Sequence, residues 1–232
     1  MTDATKTARD RFDLCLEAEQ DNRARAEEAD KFSAGLEQWP EQLRKERETD
    51  GRPCLVMDET NQYINQIKND QRQNKVAIKV RPVDDKGDKK VAEMMQGIVR
   101  HIEDTSGAEI AYDTAFEHAL RGGYGYWRIL TDYCYDDSFD QEIRITRIRD
   151  RFSVHLDPNR QEPDGSDTQY GFITEWMPRD NFKSAYPDAD PVSWEEYKSD
   201  SPDWVTDDSV RIADYFFFRE EAAEESMSGP GQ

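Results

Sequence analysis

The chain has 232 residues, of which 51 are acidic and 31 basic, for a formal net charge of −20. Such a surface does not neutralise phosphate, which argues against a protein that grips nucleic acid electrostatically. Hydrophobic residues make up only 35%, yet aromatics reach 11%, too many for a disordered chain; a real core flanked by polar, extended parts is predicted.

The elements follow in order. Thr2 to Ser33 is helix-forming but carries a thin apolar stripe (Phe12, Leu14, Cys15, Leu16, then Phe32), so it needs a partner surface or bridges solvent. Trp39-Pro40 breaks the chain before a short charged helix, Glu41 to Glu48, which gives way at the turn dipeptide Asp50-Gly51. Asp58 is placed to cap a helix with Tyr63, Ile64 and Ile67 on one face, closed by the polar run Asn69 to Asn74. Val76, Ile78 and Val80 alternate with Ala77, Lys79 and Arg81, predicting a strand ended by Pro82. After a turn at Asp84 to Gly87, Asp88 caps a helix bearing Val91, Met94, Met95, Ile98, Val99 and Ile102, and Gly107 separates it from the next.

That next helix, with Tyr112, Phe116, Ala119 and Leu120 at helical spacing, stops at Gly122-Gly123. From Tyr124 the period becomes two, with Gly125, Trp127, Ile129 and Thr131 on one face and Tyr124, Tyr126, Arg128 and Leu130 on the other. Trp127 is expected on a central strand. A return strand carries Ile143 and Ile145, and Ile148 breaks its alternation, which predicts a bulge or strand switch near Thr146. Beyond Asp157-Pro158 come a polar loop, a strand from Tyr170 to Trp176, a helix after Pro178 with Phe182 and Tyr186, a loop with Trp194 and Trp204, and a last strand from Val210 to Phe218. The class is α+β: N-terminal helices, then an antiparallel sheet with flanking helices. Three regions are expected: a charged helical arm (1–50), an α+β domain (51–220) and a disordered tail (221–232).

Little in the chain points to chemistry. Cys15, Cys54 and Cys134 form no C-x-x-C, so neither a zinc ribbon nor a disulfide framework is expected. An apolar signal core and a run of membrane-spanning length are absent from the sequence, which predicts synthesis and retention in a cytoplasm, away from membranes. His101, His118 and His155 sit in no metal-ligating spacing, and Gly122-Gly123-Tyr124-Gly125 follows a helix, the reverse of a dinucleotide-binding turn. Asp164 and Glu175 loosely resemble the carboxylate pair of a metal-dependent nuclease, but Met177 stands where its lysine belongs. Asp157, Asn159, Asp164 and Asp167 are weak candidates for a calcium site, because hard cations want several oxygens; turn formation explains the same residues. No cofactor is implied.

Two blocks carry a resemblance. Asn69-Asp70-x-Arg72-Gln73-Asn74 with the run that follows it, and Gly122-Gly123-x-Gly125-Tyr126-Trp127-Arg128, together with FSVHLDP, closely resemble portal proteins of short-tailed double-stranded DNA phages, the type forming the head-to-tail connector of Salmonella phages. The likeness covers about Asp10 to Phe217 in matching order. It implies a structural, non-enzymatic subunit of a ring, typically of twelve, at one capsid vertex of the virion. DNA passes through that ring, driven by the terminase, and the tail and its adaptors attach below; assembly takes place in the host cytoplasm. The matching residues would be structural or subunit-contact residues, and the N-terminal part of such chains builds the wing that meets the capsid protein and neighbouring subunits. Portals of this family continue into stem, clip and crown, so a wing portion is expected here: a truncated gene, a prophage remnant, a fragment or half of a split portal. The tail AAEESMSGPGQ lies outside the resemblance. The alternatives are a phage nuclease or DNA-processing enzyme, and a stand-alone wing module that modulates portal assembly.

Overall fold

Capping chemistry sets several of the boundaries seen in the computed structural model, which describes residues 3–75, 77–82, 88–135, 137–162, 165–191 and 204–218. Helix α1 spans Asp3–Ser33, α2 Glu41–Thr49 and α3 Thr60–Gln73. Asp58 acts one residue ahead of the α3 cap position: its carboxylate accepts the Asn61 backbone N–H at 3.1 Å and the Asn61 side-chain amide at 2.6 Å. Asp88 caps α4 (Lys89–Ser106) by accepting the Lys90 N–H at 2.8 Å. Gly107, at φ 59°, both ends α4 and opens α5 (Ala108–Gly122), and Gly123, at φ 89°, ends α5.

Two antiparallel sheets follow, giving a mixed α+β fold. The first is a two-stranded ribbon, β1 (Trp127–Tyr133) with β2 (Gln141–Arg147), in which Trp127 lies opposite Arg147 and Tyr133 opposite Gln141. The second orders β3 (Val154–Leu156), β4 (Tyr170–Pro178) and β5 (Ser209–Phe217), with helix α6 (Arg179–Ala185) between β4 and β5 in sequence.

The chain divides into two compact units, residues 1–19 with 153–232 and residues 20–152. This division follows long-range packing, where the arm at 1–50 and the domain at 51–220 were drawn from composition. In the first unit Phe12, 1% exposed, meets His155, Phe172 and Trp204 with ring centroids 4.6, 5.3 and 5.2 Å away. Cys15 and Tyr170 complete that core. Arg211 lies over the Trp204 ring at 5.4 Å and donates to Thr174 Oγ1 at 3.0 Å. The thin stripe of α1 is therefore satisfied in part within its own chain, through Phe12 and Cys15. In the second unit the best-buried face of α5 is its alanines, Ala108, Ala111 and Ala115, and Ile145 of β2 packs on the first two. The larger Tyr112, Phe116 and Leu120 are only half-buried. Short side chains let the ribbon approach the helix closely.

Four sequence expectations change. Residues 77–82 adopt no strand; Val76 lies outside the described residues. The segment runs along α4 instead, where the Gln96 amide donates to Ile78 O at 2.7 Å and its carbonyl accepts the Val80 N–H at 3.3 Å. One side chain thus supplies the pairing that a neighbouring strand would have given. Of the bulge or strand switch expected near Thr146, the bulge is absent, since pairing stays in register through Arg147; β2 ends there, Ile148 is buried beyond it, and the next strand, β3, belongs to the second sheet. Trp127 opens the first strand of a two-stranded ribbon, which has no central strand, and is 41% exposed. Strand β5 ends at Phe217 rather than Phe218. The predicted turn at Asp84 to Gly87, Trp194 and the tail at 221–232 lie outside the described residues.

Candidate functional site

The first sequence block closes a helix that is bolted to its neighbour by charge. Lys68 of α3 donates to Glu117 of α5 at 2.5 Å, Arg72 donates to Asp113 at 2.7 Å, and Lys75 pairs with Glu109. Arg121, one turn beyond Glu117, also donates to it at 3.3 Å. Glu109, Asp113 and Glu117 recur every four residues, the spacing that lines one face of a helix. The hydrogen bond from Lys68, reinforced by Arg121, holds the Glu117 carboxyl below the usual carboxylate range against its partial burial. Of the block itself, Asn69 and Gln73 are exposed; Asp70 lends its carbonyl to the Asn74 N–H and amide, ending the helix. The sequence reading missed the acidic partners on α5, although their four-residue period was there to be seen.

The second block is built around an arginine that sequence reasoning did not single out. Arg151, 2% exposed, lies in a single 3-10 turn (Arg151–Ser153). Its guanidinium donates to His118 O at 2.6 Å, to Ala26 O at 3.2 Å and to Asp30 Oδ2 at 2.5 Å. It also sits over the rings of Phe152 and Tyr124, at 5.0 and 5.4 Å. Gly122 is the last residue of α5, and a Cβ there would fall on this guanidinium; a Cβ on Gly125 would fall on the Ala115 carbonyl. Two of the three glycines thus make room for a close approach, and only Gly123 supplies a left-handed turn. Tyr126 lies 5.8 Å from the Tyr124 ring, Trp127 packs edge-on to Tyr112 at 5.3 Å, and Arg128 is half-buried. The imidazole of His118 is pushed below its ordinary range, by burial first and by the Arg151 charge second.

Three of the four cation candidates, Asp157, Asn159 and Asp167, hydrogen-bond within the loop that carries them. Asp157, buried, accepts the backbone N–H and side-chain amide of Asn159 at 2.9 and 3.1 Å through one oxygen, and the Gln169 N–H at 3.4 Å through the other. Asp167 accepts the N–H groups of Gln161 at 2.6 Å and Glu162 at 3.3 Å. These oxygens face backbone donors, and Asp164 lies outside the described residues. Among the described residues no group of three His, Cys, Asp or Glu side chains is arranged to hold a metal ion. Glu175 is exposed on β4, across from Ile212.

What the structure does present is apolar surface without a cover. Val91, Met94, Met95 and Ile98, one face of α4, are all largely exposed, as are Tyr63 and Ile67 of α3 and Ile129 and Ile143 of the ribbon. Monomeric proteins seldom leave so many large apolar side chains in contiguous stripes, and association surfaces do. Among the described residues no helix is long and apolar enough to cross a membrane.

Comparison with known proteins gives the chain a family. A curated relative, the protein named "Portal protein" from Acyrthosiphon pisum secondary endosymbiont phage 1, is 29% identical over 179 residues. The match takes in 74% of this chain but 25% of the relative, so the chain spans about a quarter of its length. The family model described as Phage P22-like portal protein matches residues 9–231, which extends the likeness through the tail that the sequence reading had set aside. With nearly its whole length matched, the chain belongs to the phage P22-like portal protein family.

Proposed function

We propose that this chain is a structural portal component: a subunit, or the wing portion of one, in the ring at a capsid vertex through which double-stranded DNA is packaged and ejected. The family match over residues 9–231 carries this reading. The uncovered stripes on α3, α4 and the ribbon support it, because cyclic head-to-tail contact gives every copy two neighbours and buries such stripes without leaving an open end. In this reading residues 51–220 supply the wing, and the blocks at Asn69 to Asn74 and Gly122 to Arg128 hold its frame. The net charge of −20 suits a conduit past which DNA slides without sticking. The chain catalyses nothing itself and needs no cofactor. Its partners are further copies of itself (about twelve in a complete portal), the capsid protein, the terminase and the tail adaptors, in the virion and before that in the host cytoplasm.

Native mass spectrometry of the purified chain tests this directly: a closed ring of about twelve copies is the expected result. A strictly monomeric chain that cuts DNA with magnesium, and stops doing so on Glu175→Ala, overturns it.

A further inference from the structure

The β1–β2 ribbon is electrically two-ended. From Ile129 to Ile143 the sequence carries acidic side chains and no lysine or arginine. Asp132, Asp137 and Asp140 are exposed there, and Asp132 lies directly opposite Glu142, a like-charge pair that disfavours the hairpin by itself. Beyond Ile143 the sign reverses. Arg144, Arg147 and Arg149 follow on β2 and its exit, Arg128 stands beside them on β1, and Arg147 and Arg149 are exposed. Each end also has an aromatic component. The acidic tip holds Tyr133, Tyr135 and Phe139, the last 95% exposed, on a loop closed by the Cys134 N–H donating to Asp140 O at 2.9 Å. The basic base holds Trp127, opposite Arg147.

Strands of this length place the two ends roughly 20 Å apart at about 3.3 Å per residue. Glu142 is paired with the adjacent Arg144, but the separation of the ends exceeds the Debye length of about 8 Å at physiological salt, so Arg147 and Arg149 do not neutralise Asp137 and Asp140 of their own ribbon. An exposed aromatic tip with a carboxylate collar calls for an aromatic shelf with a basic rim, and the ribbon's own base has both. We infer that the tip of one copy's β1–β2 ribbon docks on the Trp127, Arg147 and Arg149 base of another copy. The occupant is a second copy of this chain, chosen by charge complementarity; this rests on the portal reading only in requiring self-association.

Sedimentation velocity at near-physiological ionic strength, on four chains, tests it. The wild type is expected to associate. Asp137→Lys with Asp140→Lys reverses the tip, and Arg147→Glu with Arg149→Glu reverses the base; each pair is expected to weaken association about tenfold or more. A chain carrying all four changes has a basic tip and an acidic base, and is expected to associate again. Circular dichroism keeps misfolding apart from lost docking, and a reversed-end variant that misfolds is replaced by the milder Asp137→Asn with Asp140→Asn or Arg147→Gln with Arg149→Gln. If both reversed-end variants keep the wild-type mass, the ribbon is not the contact and the portal reading stands. Association that all four changes together fail to restore assigns the tip to a different basic protein and overturns the inference. A wild type that stays monomeric at every concentration removes both the ribbon contact and self-assembly by this chain.

Discussion

Arg151 is buried with its charge, and a buried guanidinium is tolerated when its terminal nitrogens find acceptors, as both do in this turn although Nε does not. Here they reach a carboxylate on α1, a carbonyl on α1 and a carbonyl near the end of α5. Arg151→Ala is expected to cost about 3–5 kcal/mol, because it strands Asp30 and two carbonyls. Arg151→Lys should recover only a minor part, since an ammonium cannot reproduce the planar fork. Urea midpoints within error of wild type for both variants would show that Arg151 is not a fastener. The glycines give a sharper contrast. Gly125→Ala forces a methyl onto the Ala115 carbonyl and should destabilise by about 1–3 kcal/mol. Gly97→Ala, inside α4 with nothing within 4 Å of its added Cβ, should be neutral or stabilise by up to about 1 kcal/mol. Tyr170 adds a pH signature: burial, with Cys15 and Asp157 nearby, pushes its hydroxyl from 10.0 up to about 12. The unfolded chain gives up that proton first. The contribution is therefore complete below pH 10 and fades as pH rises toward 12, by about 2–3 kcal/mol in all. Urea unfolding at stepped alkaline pH should show the fade, and Tyr170→Phe should flatten it.

Among the elements, the α3–α5 ladder is the part whose strength depends on conditions. Lys68 and Glu117 are its most sheltered pair, and Glu117→Gln should cost about 1 kcal/mol at low salt and less at high salt. Equal losses at both ionic strengths would mean that packing, not charge, joins the helices. Trp127 belongs to the same scale. Half-open at the ribbon's end, its truncation to Ala should cost about 1–2 kcal/mol, where a central-strand tryptophan would cost about 3–5. Sequence legibility follows this division between local and distant. Asp58, Asp88, Gly107, Gly123 and Pro178 mark their elements by chemistry within a few residues, so those boundaries were readable. The run after Asn74 alternates like a strand, yet what it meets is Gln96, which no local pattern announces. Nothing local sets Arg151 apart from Arg147 and Arg149 before it; its burial depends on Asp30 and on the missing side chain at Gly122. The two conspicuous blocks were visible as patterns, whereas the carboxylates that complete the first are four-residue repeats on another helix.

For the whole molecule, two electrostatic effects oppose each other. A charge of −20 on every copy resists association in general, and salt relieves that resistance. The acidic tip and basic base attract locally, and salt weakens that attraction. Oligomer mass plotted against ionic strength should therefore pass through a maximum. The tip-reversed and base-reversed chains should show only the rising limb.

The place of Arg151 in the chain has a consequence for biosynthesis. Asp30 and Arg151 are 121 residues apart, and Arg151 stands one residue from the end of the unit formed by residues 20–152. At about 5–20 residues per second, a ribosome needs several seconds to deliver Arg151 after Asp30 has emerged. Until it arrives, α1 and α5 lack their common clasp. Nascent chains stalled before Arg151 clears the exit tunnel should be cut rapidly by protease, and chains stalled well after it should resist. Folding of this unit is thus timed by the last residues it receives.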